Sequence, residues 1–419
     1  MIVNSPRGTR DILGQEAKVK AHILKCFYDC VQTYNFNKIE TPIFEHTSIF
    51  KRTLGEASDI VGKEMYTFND KGSDSLTLRP EGTAPIVRAL ISNGLTQNLP
   101  QKLCYVEPMF RYERPQKGRY RQFVQAGIEY IGSNNPLADV ECIALAHRLL
   151  NKLDVKNTTL YINTLGDIES RQAYRKALVD YFTPLKNKLS LDSQFRLQNN
   201  PLRILDSKDP EDKLLCVDAP QYQLSLNQTS KDFFSAVLKG LDALDIPYTI
   251  QRSLVRGLDY YCHTAFEFKT DQLGAQDAII AGGRYDHLVK QMGGPDIAAV
   301  GCGIGIDRLC LLMENIPLET PPIIGLLPVG EDEFITGLKM ADRLRKNAIN
   351  IEFPLNGNMG KRFKQLDKAG CSHAVIFGAD ELAVESVTVK NLQSTDDQTK
   401  EETVKLYNLA AHLKKICGL

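Results

Sequence analysis

Four arginines crowd into one short stretch of this sequence. Arg111-Tyr112-Glu113-Arg114 is followed, across Pro115, Gln116 and Gly118, by Arg119-Tyr120-Arg121-Gln122-Phe123. Residues 102–121 hold six Lys or Arg against two Glu, a local excess of four positive charges. The planar fork of arginine matches phosphate oxygens two at a time. Phe123, alternating with Arg121, can stack on a flat base. A charged hairpin tip in solvent is the ordinary alternative. Four arginines with a glycine and an aromatic are unusual for a mere tip and point to anion binding.

Three further segments carry polar chemistry. Gly301-Cys302-Gly303-Ile304-Gly305-Ile306-Asp307-Arg308 has glycines at alternate positions. That is G-x-G-x-G, not the G-x-G-x-x-G of a dinucleotide site, and no acidic ribose partner is evident. The glycines instead suggest close backbone approach to a flat ligand, followed by a helix bearing Arg308. A Walker A sequence is also missing. Arg256-Gly257-Leu258-Asp259-Tyr260-Tyr261 and Gly282-Gly283-Arg284-Tyr285-Asp286 each mix a cation, an anion and phenols. Each alone could be a decorated turn; together they suggest a polar pocket for a small ligand. Glu81-Gly82-Thr83, Gln125 and Glu129 add acceptors. Phe123, Gln125, Gly127 and Glu129 alternate along one strand, so the row points one way.

The elements that must hold these residues follow from hydrophobic period. A length of 419 residues suggests two or three domains. Residues 15–36, 80–93, 136–153 and 167–182 read as helices; 38–50 (broken by Pro42), 102–111, 120–131 and 159–163 read as strands. Residues 112–119 join two strands as a long hairpin. From 184 to 245 the chain is polar, helix-leaning and looks inserted. Strands are expected at 248–253, 265–269 and 278–281, and a strand leading into a helix over 298–313. The proline-rich 315–322 marks the domain boundary. Beyond it, strands at 323–329, 349–354, 373–377 and 387–392 alternate with helices at 332–346, 361–369 and 404–416, a small α/β domain. The body before the boundary reads as α+β, an antiparallel sheet with helices on one side.

Lys+Arg and Asp+Glu are 51 each, so the formal net charge is zero. Bulk positive charge is therefore excluded as a way of holding nucleic acid. Local fields survive: residues 339–368 have eight basic against three acidic residues, and 369–402 two against seven. The ten cysteines include no Cys-x-x-Cys pair and read as buried small hydrophobes in a reducing compartment. The first residues lack an apolar segment of signal-peptide type, and no apolar run reaches membrane-spanning length, so a cytoplasmic protein is expected.

TLRPEGT (77–83) with FRYERPQKGRYRQFVQAGIE (110–129) resembles the second signature of class II aminoacyl-tRNA synthetases, and GCGIGIDRL (301–309) is similar to the third. The Pro42 segment after a long helix looks like the first, which builds the dimer interface in that class. LVRGLDYY (254–261) and AGGRYDHL (281–288) resemble the two blocks that mark the histidyl-tRNA synthetase family. The resemblance runs from Arg7 into the C-terminal domain.

The resemblance implies a class II catalytic body over 1–183 and 246–318, an inserted helical domain over 184–245 and an anticodon-binding domain over 319–419. It implies histidine activation by ATP with magnesium on the phosphates, transfer to tRNA(His), and a homodimer. Arg111 and Arg256 would flank the α-phosphate as the catalytic pair. Glu81, Gly82, Thr83, Gln125, Glu129, Tyr260, Tyr261 and Tyr285 would join those two arginines around histidine. Arg111, Glu113, Arg119, Phe123 and Arg308 would hold ATP, and Arg114, Gln116 and Arg121 would meet the tRNA acceptor end. No side chain is assigned as a metal ligand. Asp307, Cys302 and Val124 depart mildly from the family pattern, and Val124 should face away from Phe123 and Gln125. A non-catalytic regulatory relative from histidine biosynthesis is the alternative, but such proteins generally lack the anticodon domain and an intact RGLDYY block. Another class II synthetase would lack RGLDYY with GGRYD, and a sensor built on the fold would not need every charged position filled.

Overall fold

A computed structural model describes residues 4–54, 60–205, 207–254, 260–273, 278–317, 321–394 and 401–419. The chain forms two compact units, Met1–Ile316 and Pro317–Leu419. The expected boundary at 318/319 lies two residues further on.

The first unit begins with α1 (Gly14–Thr33), which buries Val19, Ile23, Phe27 and Val31, the four-residue stripe of an amphipathic helix. Then come β1 (Asn37–Lys38), β2 (Phe44–His46), α2 (Thr47–Leu54), β3 (Tyr66–Asn69), β4 (Ser75–Leu78) and α3 (Thr83–Ser92). The long hairpin is β5 (Gln101–Phe110) and β6 (Gln122–Ile131), followed by α4 (Leu137–Lys152), β7 (Thr158–Thr164) and α5 (Ile168–Phe182). Next are α6 (Leu191–Asn199), α7 (Pro210–Cys216), α8 (Gln228–Ala243) and β8 (Thr249–Ile250). The unit closes with β9 (Cys262–Thr270), β10 (Ala278–Arg284), α9 (Leu288–Gln291), β11 (Ala299–Gly305) and α10 (Ile306–Leu312).

Eight strands make one sheet in the order β1-β5-β6-β11-β10-β9-β7-β8. Its six inner strands pair antiparallel, while β1 and β8 join the edges in parallel. α4 packs across β6, β10 and β11, and α1 lies against α4 and α10. The chain between β7 and β8 is helical among the described residues. It has a core of its own that includes Tyr174, Leu178, Phe182, Leu197, Ile204 and Tyr222. Buried Asp212 holds this segment by accepting from Ser190, Ser193 and Ser207 hydroxyls at 2.6–2.7 Å.

The strand expected over 38–50 is not one element. Two residues pair with β5, the chain breaks at 39–43, three residues form β2, and α2 begins at Thr47. Pro42 has no N–H to give a ladder. The N–H of Thr41 instead donates to Glu107 at 2.9 Å, and buried Arg79 donates to the Thr41 carbonyl at 2.8 Å while ion-paired to Glu107. β2, β3 and β4 form a small separate sheet that periodicity does not announce. The strand expected over 248–253 shrinks to β8.

The second unit contains β12 (Ile323–Pro328), α11 (Glu333–Arg345), β13 (Asn350–Glu352), α12 (Met359–Lys368) and β14 (His373–Phe377). It continues with α13 (Ala379–Ala383), β15 (Ser386–Asn391), β16 (Glu401–Lys405) and α14 (Leu409–Cys417). The sheet order is β13-β12-β14-β15-β16, with β12 parallel to both neighbours and the rest antiparallel. The start of the helix expected over 404–416 is strand: β16 pairs with β15 through Val404 and Lys405 before the chain turns into α14. No helix among the described residues is long and apolar enough to cross a membrane. All ten cysteines are free thiols, buried except Cys216 and Cys417, which are partly covered.

Candidate functional site

The site is built on the face of β6 that the alternation singled out. β11 pairs with β6 so that Gly301 lies opposite Glu129, Gly303 opposite Gly127, and Gly305 opposite Gln125. Alternate residues share a face, so these glycines and the polar row of β6 stand side by side. A Cβ at Gly301 would collide with Glu129 Oε2, and one at Gly303 with Gln125 Nε2. The glycine spacing was expected to let a flat ligand approach the backbone. Its first use is to make room for two protein side chains, which lie across the neighbouring strand. Gly283, opposite Gly301 on β10, has no room for a Cβ because the Thr264 carbonyl oxygen would lie about 2.4 Å from it and the Tyr261 ring about 2.9 Å.

Tyr105 completes this floor, and sequence reasoning passed over it. It sits opposite Gly127 in the hairpin register, and its ring end fills the space where a Cβ of Gly82 or Gly127 would be. A tyrosine facing a glycine across a hairpin was the available signal, readable only once the register is known.

At one end of the floor two carboxylates are buried together. Glu129 accepts from Thr83 Oγ1 at 2.8 Å and from the Tyr285 hydroxyl. Burial pushes its carboxyl up to about 8, against the pull of those two donors. Glu81 accepts from the backbone N–H groups of Thr83 and Ala84, both at 2.8 Å, and so caps α3. Burial raises its pKa as well. Tyr260, Tyr261 and Tyr285 close around them, with Tyr260 ring centroids 4.6 Å from Tyr261 and 5.7 Å from Tyr285. A pocket with two anchored carboxyls and three phenols, all with low exposure, suits a small ligand carrying several N–H donors.

A cavity of about 390 Å³ lies further along the same floor, where Gln125, Gly303 and Gly305 stand. Arg111, Arg119, Phe123, Gln125, Gly303 and Arg308 contribute to its wall. Arg111 is aimed by its Nε, which donates to the Pro80 carbonyl at 2.8 Å, and its guanidinium carbon lies 5.4 Å from the Phe123 ring centre. Arg119 is paired with Glu113 at 2.7 Å across the turn, where Gly118 adopts a positive φ of 76°. Arg308 donates to the Ala278 carbonyl. Gln125 Oε1 is buried with no hydrogen-bond partner among the described residues. Three guanidinium groups beside a flat ring and an unsatisfied amide can hold a polyanion attached to a planar base.

Not every expected residue arrives here. Arg256, with 255–259, lies outside the described residues. Arg114 and Gln116 are exposed at the hairpin tip. Arg121 is half-buried, its guanidinium 3.8 Å from the Tyr112 ring centre and its backbone N–H donating to Gly8. Lys102, counted in the basic stretch, is remote from the tip and bonded to Glu141 at 2.6 Å. Val124 borders the cavity although alternation placed it on the other face; Asp307 accepts its N–H at 2.7 Å. Asp307 also takes Arg10 at 2.9 Å, so this acid ties α10 to β6 and to the start of the chain. Arg284 and Asp286 of the GGRYD block serve as struts. Arg284 is fully buried and paired with Asp139 of α4 and with Asp286.

A family model described as histidyl-tRNA synthetase matches residues 8–309, and one described as anticodon binding domain matches 324–416. The histidine–tRNA ligase of Rhodospirillum rubrum is 50% identical over 394 residues, covering 94% of this chain and 95% of that protein. The crystal structure of an S. aureus histidyl-tRNA synthetase superposes with a TM-score of 0.82 at 35% identity, over 99% of this chain and 100% of that one. A protein described as an ATP phosphoribosyltransferase regulatory subunit/histidyl-tRNA synthetase, from Bacillus halodurans, shares the fold at 21% identity and a TM-score of 0.65, over 90% of this chain and 99% of its own.

Proposed function

The chain belongs to the histidyl-tRNA synthetase family and is an aminoacyl-tRNA ligase that joins histidine to tRNA at the expense of ATP, and from that premise we propose how its residues divide the work. The carboxyl and phenol end takes histidine. Glu129 and Tyr261 bracket the imidazole, with Tyr260 and Tyr285 behind them, and Glu81, Thr83 and Gln125 receive the amino group. An amino acid without ring nitrogens leaves these buried groups unpaired, which is a strong basis for rejection.

The cavity further along the same floor takes ATP. Phe123 lies under adenine, Arg119 and Arg308 hold the outer phosphates, and Arg111 bridges the α-phosphate and the histidine carboxylate. The carboxylate oxygen attacks the α-phosphorus, the bond to pyrophosphate breaks, and histidyl-adenylate forms. Both reactants are anions, so neutralisation and alignment lower the barrier and no side-chain nucleophile takes part. The terminal ribose hydroxyl of tRNA(His) then attacks the acyl carbon and AMP leaves. Magnesium would supply positive charge to the phosphates, and Glu113 and Glu267 on the cavity wall, now paired with Arg119 and Lys269, would be the hard oxygen donors to hold it. Arg114 and Gln116 at the exposed tip, with Arg121 beside them, meet the acceptor end. The second unit, basic over 339–368, reads the anticodon.

The observation that carries this reading is one face of β6 that leads from the buried carboxyl cluster at Glu129 to a cavity walled by arginines at Gln125. Histidine-dependent exchange of pyrophosphate into ATP tests it. The wild-type chain is expected to exchange with histidine and not with threonine or proline. Arg111→Ala should lower the rate by about 10²–10³-fold, and full exchange in that variant removes Arg111 from the mechanism.

We also propose a homodimer in the cytoplasm. The small sheet supports the dimer: Phe44 is 50% and Phe68 44% exposed, neighbouring Ile43 is 46% exposed, and the two phenylalanine rings stand 6.5 Å apart. Exposed apolar faces of this kind mark interfaces. Sedimentation at micromolar concentration is expected to give twice the chain mass, and a monomer would count against it. Ten free thiols suit a reducing compartment.

A further inference from the structure

The helical segment between β7 and β8 touches the pocket at two points that motif reasoning could not see. From α5, Arg171 Nη1 donates to the Tyr261 backbone carbonyl at 3.1 Å. From α8, the Phe233 ring stacks on His263 with centroids 4.4 Å apart and planes 28° from parallel. The Arg284 guanidinium carbon lies 5.0 Å from the centre of the same ring. One aromatic of this segment therefore rests on the residue two after Tyr261 and on the residue just before Tyr285.

The backbone there is irregular. In the β9–β10 pairing, Gly283 is opposite Ala265 but Arg284 is opposite Cys262, so His263 and Thr264 bulge out of the ladder. His263 has a positive φ of 42°, a conformation that costs free energy for any residue with a Cβ. It is pinned by its N–H donating to Gly166 at 2.7 Å and its carbonyl accepting from Leu165 at 2.6 Å. Bulges re-aim the side chains next to them. This one sets where the chain just past Tyr261 enters the sheet as β9, and the Phe233 ring covers it.

We propose that Phe233, His263 and Arg171 are positioning residues for histidine, through which the helical segment fixes the Tyr261 and Tyr285 side of the pocket. The proposal rests on the ligase reading. It makes histidine affinity depend on a segment that contributes no side chain to the pocket described above. ATP, held by the β6 hairpin and α10, should be indifferent to it.

The test is steady-state ATP–pyrophosphate exchange with histidine and ATP varied separately. Phe233→Leu keeps apolar volume but removes the flat face, and Phe233→Tyr keeps the ring. Arg171→Met removes the donor to Tyr261 without leaving a hole, and Arg171→Lys restores a cation. Phe233→Leu and Arg171→Met are expected to raise the KM for histidine about tenfold while kcat and the KM for ATP stay within about twofold. The Tyr and Lys variants should return most of the loss. An unchanged histidine KM in both altered variants, or a parallel loss in kcat and both KM values with no rescue, overturns the proposal. Absence of histidine-dependent exchange in the wild-type chain would instead defeat the ligase reading itself.

Discussion

Glu129→Gln is expected to lower kcat/KM for histidine about a thousandfold, close to 4 kcal/mol of transition-state binding. The side chain keeps its size, so the loss comes from chemistry. Glu129 now accepts from both Thr83 and Tyr285. An amide nitrogen cannot accept, so one hydroxyl must turn away and the imidazole meets a donor where it needs an acceptor. The same variant should change how stability depends on pH. Burial raises the Glu129 carboxyl to about 8, above its unfolded value near 4.5. Between those values the folded chain holds a proton that the unfolded chain releases, so wild-type stability falls as pH rises through that window and levels off above it. Without ligand, Glu129→Gln should show a shallower decline in urea titrations run from pH 5 to 8, because buried Glu81 and Asp139 still contribute theirs. Matching pH profiles for the two proteins would show that Glu129 is already ionised in the empty pocket.

Arg284→Met should cost about 3–5 kcal/mol of stability in urea unfolding. Arg284 and Asp139 both have side chains with zero exposure, and the arginine also donates to the Ser133 and Asn135 carbonyls. Burial pushes the Asp139 carboxyl up, and the guanidinium opposes that rise. Removing the cation leaves a fully buried acid, Asp286 without its cation and two orphaned carbonyls, whereas replacing Asp139 as well removes the fully buried charge. Arg284→Met with Asp139→Leu is therefore expected to recover part of the loss. A single variant as stable as wild type would show that the pair does not hold α4 to β10.

The hairpin shows what was readable and what was not. Strong alternation over ten residues on each strand places β5 and β6 well, and the same alternation aligns Phe123, Gln125 and Glu129. Short elements carry no such signal. β2 has three residues, and β16 is mostly charged, so neither has a period long enough to stand out. α2 is rich in β-branched residues, yet it packs as a helix against α3, where tertiary contacts override weak local preference. The GGRYD block looked like pocket chemistry throughout. Alternation along β10 and its end sends Tyr285 to Glu129 and Arg284 to α4, so one block serves both the site and the scaffold.

The sequence by itself determined which residue types the chemistry needs and on which strands they ride, because spacing along a strand decides which side chains share a face. It also determined that a chain with zero net charge still carries local basic stretches. Only the tertiary structure decided what the glycines of β11 are for, which arginine is a strut, that Tyr105 belongs to the floor of the site, and that Phe233 rests on His263 beside it. Those facts depend on which strand lies beside which, on the register between them, and on a helical segment that returns from far along the chain. Contacts of that kind are fixed by packing across the sheet, and no local period records them.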